Sequence, residues 1–467
     1  MKSFRRNIKG LGALIAAVFL AVSGWFGYTV YTQGSRWMVS RYNSRIDRAR
    51  SKVTMGDILD RNGILLASTD KEGDRYYAED DAMRRAVSQT VGDSLSMAGA
   101  GVQTFHADTL LDVSGSALDR TFQLVRGEGT VGNTLRLTID ARLARYVSTQ
   151  FPAGKNGAVV VMNHKTGEIL CMVSKPDYDP ENLTRSNIDM EGSAYLNRCL
   201  QGLYAPGSVM KIFTLAAVLE YNPAAVSRNY TCAGTSGYGR FTLRCAGGAV
   251  HGDMNLRQAF AKSCNNVFGG LTVELGFDRM INACETMGFN DNFHFQDITL
   301  YESRFPDSVI DAGDLAWAGV GQSSVLVTPM HLCMLACAVA EGGVMPEPKL
   351  VAQVTGASGV ARPRTQPGEY SRVMTEHTAQ TVKSYMQSCV EKGTGTRARL
   401  AGYTVCGKTG SAQVSNDKSV PTNALFVGFI DSESAPYALA VVVEGGGSGG
   451  DTAAALAQRI FAYMTGQ

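Results

Sequence analysis

The sequence lacks a surplus of charge of either sign. Its 467 residues include 44 lysines and arginines and 42 aspartates and glutamates. Proteins that hold nucleic acid through its phosphates carry a basic surplus, so this balance predicts no nucleic-acid partner. The chain is long enough for two or three domains, each with its own apolar core.

Cysteine is absent from the first 170 residues, and all ten cysteines follow that point. An even number of cysteines permits disulfides outside the cytoplasm. Cys232 and Cys245 are a candidate pair, because they flank a glycine-rich segment that could form a looped hairpin.

Zinc ligands at the usual spacing are also missing. Cys333 and Cys337 are four residues apart on a predicted helix, with His331 nearby. No second pair of ligands at zinc spacing accompanies them. We interpret the two cysteines as small core residues and expect neither a metal ion nor a cofactor.

Charged side chains are absent from Gly10 to Ser35. About 20 mostly apolar residues span a bilayer, and the aromatic residues late in this run favour its interface. Because basic residues precede the run, we predict a cytoplasmic tail at 1–9 and a single-pass membrane anchor at 10–32. The alternative is a signal peptide cleaved at the small residues 21–23. Both interpretations place most of the chain outside the cytoplasm.

The pattern of the rest of the chain changes at about residue 133. Residues 33–132 are polar and irregular, which predicts a separate small domain or stalk. Beyond them, β-type runs lie at both ends of a mostly helical middle, and a short connection joins the last two runs. We therefore predict an α+β fold for 133–467, with one antiparallel sheet built from both ends of the segment. The predicted strands are 157–162, 168–174, 403–406, 424–430 and 437–444, and the predicted helices are 141–151, 329–341, 375–392 and 452–464.

A lysine on an apolar helix is the most informative feature. From Val209 to Leu219 the only charged residue is Lys211. A helix that is apolar all round belongs in a protein interior, where burial favours the neutral amine. Ser208 precedes Lys211 by one turn, so a general base would lie beside a nucleophile. The breaker at 204–207 starts the helix near Ser208, and we predict an acyl-transfer site there.

Two further motifs follow this pair, Ser-x-Asn at Ser263–Asn265 and Lys-Thr-Gly at Lys408–Gly410. The first separates a helix-like segment from an apolar run, and the second follows a predicted strand. Other copies of the three motifs lie among polar residues or in a predicted turn: Ser68–Lys71, Ser415–Lys418, 165–167 and Ser227–Asn229. The chosen trio, in this order, is the signature of penicillin-binding proteins and serine β-lactamases.

Longer segments resemble class B penicillin-binding proteins, from residue 56 to the end of the chain. These segments are 56–63 (GDILDRNG), 157–162 (GAVVVM), 166–170 (TGEIL), 197–198 (NR), 206–211 (PGSVMK), 319–322 (GVGQ), 328–329 (TP) and 407–413 (GKTGSAQ). The sequence has Ser411 where the family more often has Thr, and Ala205 where Pro is frequent. The resemblance implies a penicillin-binding transpeptidase domain at 133–467, with helices on both faces of its sheet. It also implies a non-catalytic, pedestal-like or dimerisation-like domain at 33–132.

The resemblance implies catalysis through a serine acyl-enzyme. Ser208 would be the nucleophile and Lys211 its general base. Ser263 would relay the proton to the leaving amine, while Asn265 would orient Lys211 and hold the substrate's peptide amide.

The resemblance also implies how the substrate is held. Lys408, with the hydroxyls of Thr409 and Ser411, would bind the C-terminal carboxylate. Gly410 would let the substrate lie along the strand without a side chain in the way. The backbone N–H groups of Ser208 and Ser411 would form the oxyanion hole.

These roles imply a D,D-transpeptidase that cross-links peptidoglycan and is acylated by β-lactams. The implied partners are stem peptides of lipid II-derived glycan strands, β-lactam antibiotics, the membrane and a SEDS-type glycan polymerase. A hydrolase, either a D,D-carboxypeptidase or a β-lactamase, stays open because the motifs do not say whether water or an amine reaches the acyl-enzyme. A non-catalytic penicillin-binding scaffold or sensor is the third alternative, and the short predicted tail argues against a sensor.

Overall fold

The structure is a computed structural model that describes residues 2–38, 53–113, 130–183, 193–239, 241–293, 295–308, 311–363, 368–415, 417 and 419–467. The predicted small domain at 33–132 therefore lies partly outside the described residues, as does Lys418 of one rejected motif. The first helix, α1, comprises Lys2–Met38. Within it, Gly10–Thr29 has a mean hydropathy of 1.9 and no buried residues, so this segment is long and apolar enough to cross a membrane.

Strands and helices follow each other in groups along the rest of the described chain. The strands are β1 (Ile58–Leu59), β2 (Leu65–Thr69), β3 (Arg75–Tyr77), β4 (Thr134–Leu137), β5 (Gly157–Asn163), β6 (Ile169–Lys175), β7 (Asn229–Cys232), β8 (Thr235–Tyr238), β9 (Phe241–Arg244), β10 (Gly252–Asn255), β11 (Val344–Pro346), β12 (Val351–Thr355), β13 (Ala361–Pro363), β14 (Glu369–Arg372), β15 (Val405–Ala412), β16 (Asn423–Ile430) and β17 (Tyr437–Val443). The further helices are α2 (Asp81–Ala86), α3 (Ser88–Val91), α4 (Val102–Phe105), α5 (Ala107–Leu110), α6 (Ala141–Gln150), α7 (Arg198–Gln201), α8 (Lys211–Tyr221), α9 (Leu256–Ala261), α10 (Asn265–Leu275), α11 (Phe277–Thr286), α12 (Ala312–Ala318), α13 (Pro329–Ala340), α14 (Glu376–Lys392) and α15 (Ala454–Met464).

The central sheet is antiparallel and has the strand order β15-β16-β17-β5-β6. It confirms the prediction of one sheet built from both ends of the segment. Every residue of β16 is buried, so both faces of the sheet are covered. Helix α13 packs on β5, β16 and β17, and α15 packs on β16 and β17. These contacts bury the apolar runs that the sequence places in the last strands.

Local signals explain where several elements begin. Asp140 accepts hydrogen bonds from the backbone N–H groups of Arg142 and Leu143, which starts α6 where the sequence predicts it. The Thr328 side chain accepts from the N–H of His331 at the start of α13, which has Pro329 in its first turn. Cap and turn residues thus place the helix ends within one or two residues of the prediction.

A second sheet crosses the boundary predicted at residue 133. Its order is β13-β12-β4-β1-β2-β3, so β4 lies between β1 from one predicted domain and β12 from far along the other. Leu135 and Leu137 of β4 are fully buried. The sequence of β4 does not indicate which strands it pairs with. The division into two domains at residue 133 stays a prediction.

Most elements in the middle of the chain are helices, as predicted, although β7–β10 lie between α8 and α9. All residues from Lys211 to Leu219 are buried, and α8 packs against α10, α11 and α14. The apolar composition of α8 therefore reflects contacts on every side.

Strand β15 is longer than the sequence predicts. The predicted strand ends at Cys406 with Lys408–Gly410 after it, but β15 continues to Ala412 and pairs with β16 throughout. Glycines at 407 and 410 lower the strand propensity of this segment, and pairing with a buried central strand overrides that preference. The Lys-Thr-Gly motif thus lies within the strand.

The cysteines are all free thiols in the structure. Between Cys232 and Cys245, β8 and β9 form the predicted hairpin, yet the two sulfurs are 3.6 Å apart and unbonded. Cys333 and Cys337 are fully buried on α13, in agreement with their interpretation as core residues. His331 is also buried, its Nε2 lies 2.7 Å from Met287 O, and burial lowers its pKa to about 4.

Candidate active site

Ser208 lies on a tight turn that leads into α8. Gly207–Met210 form a single 3₁₀ turn, and Gly207 has a φ of +52°. The N–H of Gly207 donates to Gly321 O at 2.8 Å. A side chain on Gly321 would meet Gly207 O at 2.0 Å, so this backbone contact requires glycine. The turn leaves Ser208 partly exposed while Lys211 is buried.

The amine of Lys211 joins three of the predicted site residues. Its Nζ lies 2.8 Å from Ser208 Oγ and 3.1 Å from Ser263 Oγ. It also donates to Ser263 O at 3.0 Å and to Asn265 Oδ1 at 2.7 Å. The side chain is 0% exposed, so water does not compete for these contacts.

The contacts of Lys211 decide what its nitrogen can do. A neutral amine has two hydrogens and one lone pair. Ser263 O and Asn265 Oδ1 can only accept, so they take both hydrogens. The lone pair is left for a hydroxyl hydrogen, and the nearer hydroxyl is that of Ser208. This is the arrangement of a general base beside its nucleophile.

Burial favours the neutral form of Lys211. It lowers the pKa of this amine well below its ordinary value, and the neighbouring Lys408 lowers the pKa further. Lys408 is fully buried as well, and burial lowers its pKa too. Two ammonium groups that share one hydroxyl, Ser263 Oγ, repel each other, which favours one charged and one neutral amine.

Backbone geometry aims Ser263 and Asn265 at Lys211. Ser263 has a φ of +58°, a conformation that residues other than glycine rarely adopt. This turn presents both the carbonyl and the hydroxyl of Ser263 to the lysine amine. Asn265 donates through Nδ2 to Arg244 O at 2.7 Å, so its Oδ1 is the atom that faces Lys211.

The side chain of Lys408 is buried beneath β15 and is not exposed on the surface of the strand. Its Nζ donates to Ser263 Oγ and to Thr409 O, both at 3.1 Å. It also lies 5.6 Å from the centre of the Phe260 ring, a favourable position for a cation. Lys408 and Thr409 are buried, whereas Ser411 is exposed. The amine therefore supplies charge from beneath the strand, and Ser411 has the accessible hydroxyl.

The structure explains the glycine at position 410 differently from the sequence, by the space beside its Cα. A side chain there would meet Pro206 O at 2.8 Å and Val209 Cγ2 at 3.0 Å. The absence of a side chain thus lets β15 approach the serine turn. A Cβ on Gly207 would lie 3.1 Å from Ser411 O, so the backbones of the serine turn and of Ser411 are neighbours.

Two residues at the strand edge are missed by sequence reasoning. Thr394 Oγ1 lies 2.6 Å from Thr409 Oγ1, and the N–H of Gly449 donates to Ser411 Oγ at 3.0 Å. Thr394 follows α14 in a short polar turn that has no motif. Its hydroxyl can donate to Thr409, which leaves the Thr409 hydrogen free for an anion at the strand edge.

Replacing Thr394 by valine is expected to slow acylation by a penicillin about fivefold. The change removes a hydroxyl partner of Thr409, and one net hydrogen bond contributes roughly 1 kcal/mol. The second-order rate of acylation by a fluorescent penicillin measures the effect. Thr394→Ser should restore the rate, and an unaltered rate in Thr394→Val would show that Thr409 does not depend on this contact.

Two of the rejected motif copies have contacts with other parts of the protein. Ser68 donates to Asp57 Oδ1 at 2.6 Å in the second sheet. Lys165 of the other Lys-Thr-Gly copy pairs with Glu433 at the end of the β5–β6 hairpin. The structure thus brings together the chosen copies, Ser208–Lys211, Ser263–Asn265 and Lys408–Gly410, in one network of hydrogen bonds.

Comparison with known families gives one match that covers more than half of the chain. Residues 157–462 match the family described as penicillin binding protein transpeptidase domain. This range begins at β5 and ends within α15, so it contains the whole central sheet and the hydrogen-bonded cluster.

Individual relatives and solved structures agree with that match. The peptidoglycan D,D-transpeptidase PbpA of Mycolicibacterium smegmatis is 30% identical in an alignment of length 308 that covers 62% of this chain and 62% of that protein. The chain thus spans 62% of the length of this relative. The peptidoglycan D,D-transpeptidase MrdA of Haemophilus influenzae is 26% identical in an alignment of length 462 that covers 89% of this chain and 68% of that protein. A ceftriaxone acyl-enzyme complex of penicillin-binding protein A from Mycobacterium tuberculosis has a TM-score of 0.81 and 25% identity, and the match covers 90% of this chain and 100% of that one.

Proposed function

The chain belongs to the penicillin-binding protein transpeptidase family, and on that premise we propose that it is a peptidoglycan D,D-transpeptidase. It cross-links stem peptides through an acyl-enzyme on Ser208 and is acylated there by β-lactams. The observation that carries the proposal is the contact of 2.8 Å between Ser208 Oγ and the buried amine of Lys211. The names of the relatives support the same reaction.

The first step is attack of Ser208 Oγ on the carbonyl between the two terminal D-alanines of a donor peptide. Lys211 takes the hydroxyl proton as the C–O bond forms. The backbone N–H groups of Ser208 and Ser411 stabilise the oxyanion, and the close packing of β15 on the serine turn supports this pairing. One such donor typically lowers the barrier by about 3–4 kcal/mol.

The second step breaks the C–N bond and releases D-alanine. Its amine needs a proton, and Ser263 Oγ lies 3.1 Å from the amines of both Lys211 and Lys408. A hydroxyl in this position can pass a proton from Lys211 to the leaving amine. An amine of a neighbouring stem peptide then attacks the ester and restores Ser208.

The donor peptide lies along β15, the terminal strand of the described central sheet. An extended peptide can add to such an edge by main-chain hydrogen bonds. Its carboxylate is held by the hydroxyls of Thr409 and Ser411, with the charge of Lys408 beneath them.

Replacing Lys408 by methionine tests the carboxylate role. Methionine keeps most of the buried volume but removes the charge beneath the Thr409 and Ser411 hydroxyls, and the loss of a charged partner costs roughly 1.5–3 kcal/mol. We expect acylation by a penicillin to slow by about 10- to 100-fold. An ester substrate without a carboxylate should be affected much less. Equal losses of rate with both substrates would argue that Lys408 acts only through its hydrogen bond to Ser263 and does not help to bind the carboxylate.

Transpeptidation can be separated from hydrolysis with glycan strands that carry pentapeptide stems. We expect the full-length protein in detergent to release D-alanine and to form cross-linked muropeptides, both resolved by mass spectrometry. Release of D-alanine without cross-links would favour the D,D-carboxypeptidase alternative. Absence of both products, and of a benzylpenicillin adduct on the Ser208 peptide, would favour a non-catalytic scaffold.

The membrane context is part of the proposal. The apolar segment Gly10–Thr29 anchors the protein with its N-terminus in the cytoplasm and its active site outside. There it works with a SEDS-type glycan polymerase in the membrane. Co-purification with such a polymerase should be lost when this segment is exchanged for an unrelated membrane helix of equal length. Unchanged co-purification would place the contact elsewhere.

A further inference from the structure

A carboxylate at the end of the central sheet holds two side chains that the proposed mechanism does not use. Glu444 directly follows β17, and its Oε1 accepts from Arg198 Nε at 2.8 Å and from the Tyr204 hydroxyl at 2.7 Å. Arg198 and Tyr204 are buried, whereas the Glu444 side chain is 30% exposed. Burial and the Glu444 carboxylate raise the pKa of Tyr204, so its hydroxyl stays protonated and is the donor in this bond.

Arg198 is fixed from the side of β6. Its backbone N–H donates to the hydroxyl of Ser174 in β6 at 3.1 Å. The other two guanidinium nitrogens donate to Ser193, Nη1 to its carbonyl at 3.1 Å and Nη2 to its hydroxyl at 2.7 Å. The buried guanidinium therefore presents Nε in one direction, and Glu444 is the carboxylate that compensates its charge.

Tyr204 is the last polar side chain before the serine turn, Gly207–Met210. The three residues between Tyr204 and Ser208 are alanine, proline and glycine. The backbone of Tyr204 pairs with that of Val327 in both directions, at 3.0 and 2.8 Å. Its ring lies against Gly202, where a Cβ would meet Tyr204 Cε2 at 2.6 Å. With the bond to Glu444, these contacts hold the chain at the point where it enters the serine turn.

Glu444 also lies at the end of the sheet that carries Ser411. Ser411 pairs with Ala424 of β16, and Ala424 pairs with Val443, the residue before Glu444. The proposed oxyanion hole combines N–H groups from two separate segments, the serine turn and β15. Both donors must lie about 2.7–3.1 Å from the oxyanion. A bond that joins Tyr204 to this row of paired residues therefore helps to fix the spacing between the two segments.

We propose that Glu444 is a positioning residue for acylation, which holds the serine turn at its distance from β15 through the hydroxyl of Tyr204. The inference rests on the proposed function, because that function assigns the oxyanion donors to Ser208 and Ser411. Glu444 acts through Tyr204 and not on the substrate. Loss of the contact should therefore lower the rate constant of acylation and leave the affinity of the first, non-covalent penicillin complex nearly unchanged.

The test measures acylation of the full-length protein in detergent. Tyr204→Phe keeps the ring and removes the hydroxyl, so its acylation rate constant should fall about fivefold, the usual contribution of one hydrogen bond. Glu444→Met removes the acceptor of both bonds and should lose at least about tenfold. Glu444→Gln keeps an acceptor oxygen and should stay within about threefold of the unaltered protein. Stopped-flow labelling at a series of penicillin concentrations separates the rate constant from the dissociation constant of the non-covalent complex.

Asp431→Ala is the matched control. Asp431 directly follows β16 at the opposite end of the same sheet and pairs with Lys383 Nζ at 3.0 Å. This variant should acylate at the rate of the unaltered protein. The double variant Tyr204→Phe/Glu444→Met should be no slower than Glu444→Met alone, within about twofold, because both changes break the same contact. Losses that multiply in the double variant would overturn the proposed action of Glu444 through Tyr204.

Counting the labelled molecules keeps the test valid if Glu444→Met folds poorly. A merely structural role would reduce the fraction of Tyr204→Phe that is finally labelled and leave the rate constant of that fraction unaltered, which would overturn the proposal. A weaker non-covalent complex with an unaltered rate constant would overturn it as well. Absent acylation of the unaltered protein would count against the proposed function and, with it, this inference, whereas unaltered rate constants in the variants would overturn only the positioning role.

Discussion

Replacing Ser208 by alanine is expected to abolish covalent labelling of the protein by a fluorescent penicillin. The acyl-enzyme needs an oxygen at this position, and no other hydroxyl of the cluster can substitute for it. Ser263 Oγ lies 3.1 Å from each of two amines and is held by its backbone in a fixed orientation. Of the two hydroxyls in contact with the amine of Lys211, that of Ser208 is the nearer and lies on the partly exposed turn. Gel fluorescence after incubation with the labelled penicillin measures the loss.

The matched control for this variant is Ser415→Ala. Ser415 begins one of the rejected Ser-x-x-Lys copies and is exposed. It should label at the rate of the unaltered protein. Because Ser208 is only partly buried, the alanine variant should also keep its thermal unfolding midpoint within a few degrees. Labelling that persists in Ser208→Ala would mean that the nucleophile is misassigned.

Replacing Lys211 by methionine is expected to slow acylation by about 10²- to 10⁴-fold, the usual contribution of a positioned general base. Methionine fills much of the buried space but has no lone pair that can take the Ser208 proton. Lys211→Arg is the informative companion, because arginine keeps a positive charge and cannot be deprotonated in a protein. A comparable loss in both variants would show that the neutral amine is required. Near-normal acylation in either one would remove the general-base role.

The pH dependence of acylation follows from the same amine. The base acts in its deprotonated form, and burial together with Lys408 lowers the pKa of Lys211. The rate in the unaltered protein should therefore stay high as the pH falls below the ordinary pKa of a lysine, and decrease as the pH falls through the lowered pKa of Lys211. Stopped-flow acylation over a pH series measures the profile. A rate that already declines as the pH falls below about 10, the ordinary pKa of lysine, would contradict a lowered pKa.

The site was more predictable from sequence than the parts that support it. Ser208, Lys211, Ser263 and Lys408 belong to motifs whose order along the chain is informative, and the structure joins them by hydrogen bonds. Thr394 could not be found in this way, because one threonine after a helix has no pattern. The burial of Lys408 could not be predicted from the sequence either, because a side chain in a strand can face either surface of the sheet.

Cys232, Cys245, His251 and Cys264, whose ligand atoms lie within 4.8 Å of one another, show a limit of spacing rules. Those rules find pairs of ligands two to four residues apart, a spacing that Cys333 and Cys337 have. Cys232, Cys245, His251 and Cys264 are separated by a hairpin, a loop and a helix, and only the pairing of β7 with β10 and of β8 with β9 brings them together. Contacts of this kind depend on tertiary structure. The sheet that crosses residue 133 escaped the sequence for the same reason, since β4 finds its partners at 58–59 and 351–355.

Because the amines of Lys211 and Lys408 are fully buried, a designed inhibitor has little access to either of them. The hydrogens of Lys211 are committed to carbonyl groups, and Lys408 is directed at Ser263 and Thr409. A compound that depends on an ionic contact with either amine would first have to break those bonds and open a dry interior. Affinity is therefore more readily gained from the rim of β15, where a ligand can meet the Ser411 hydroxyl and main-chain amides without rearranging the protein.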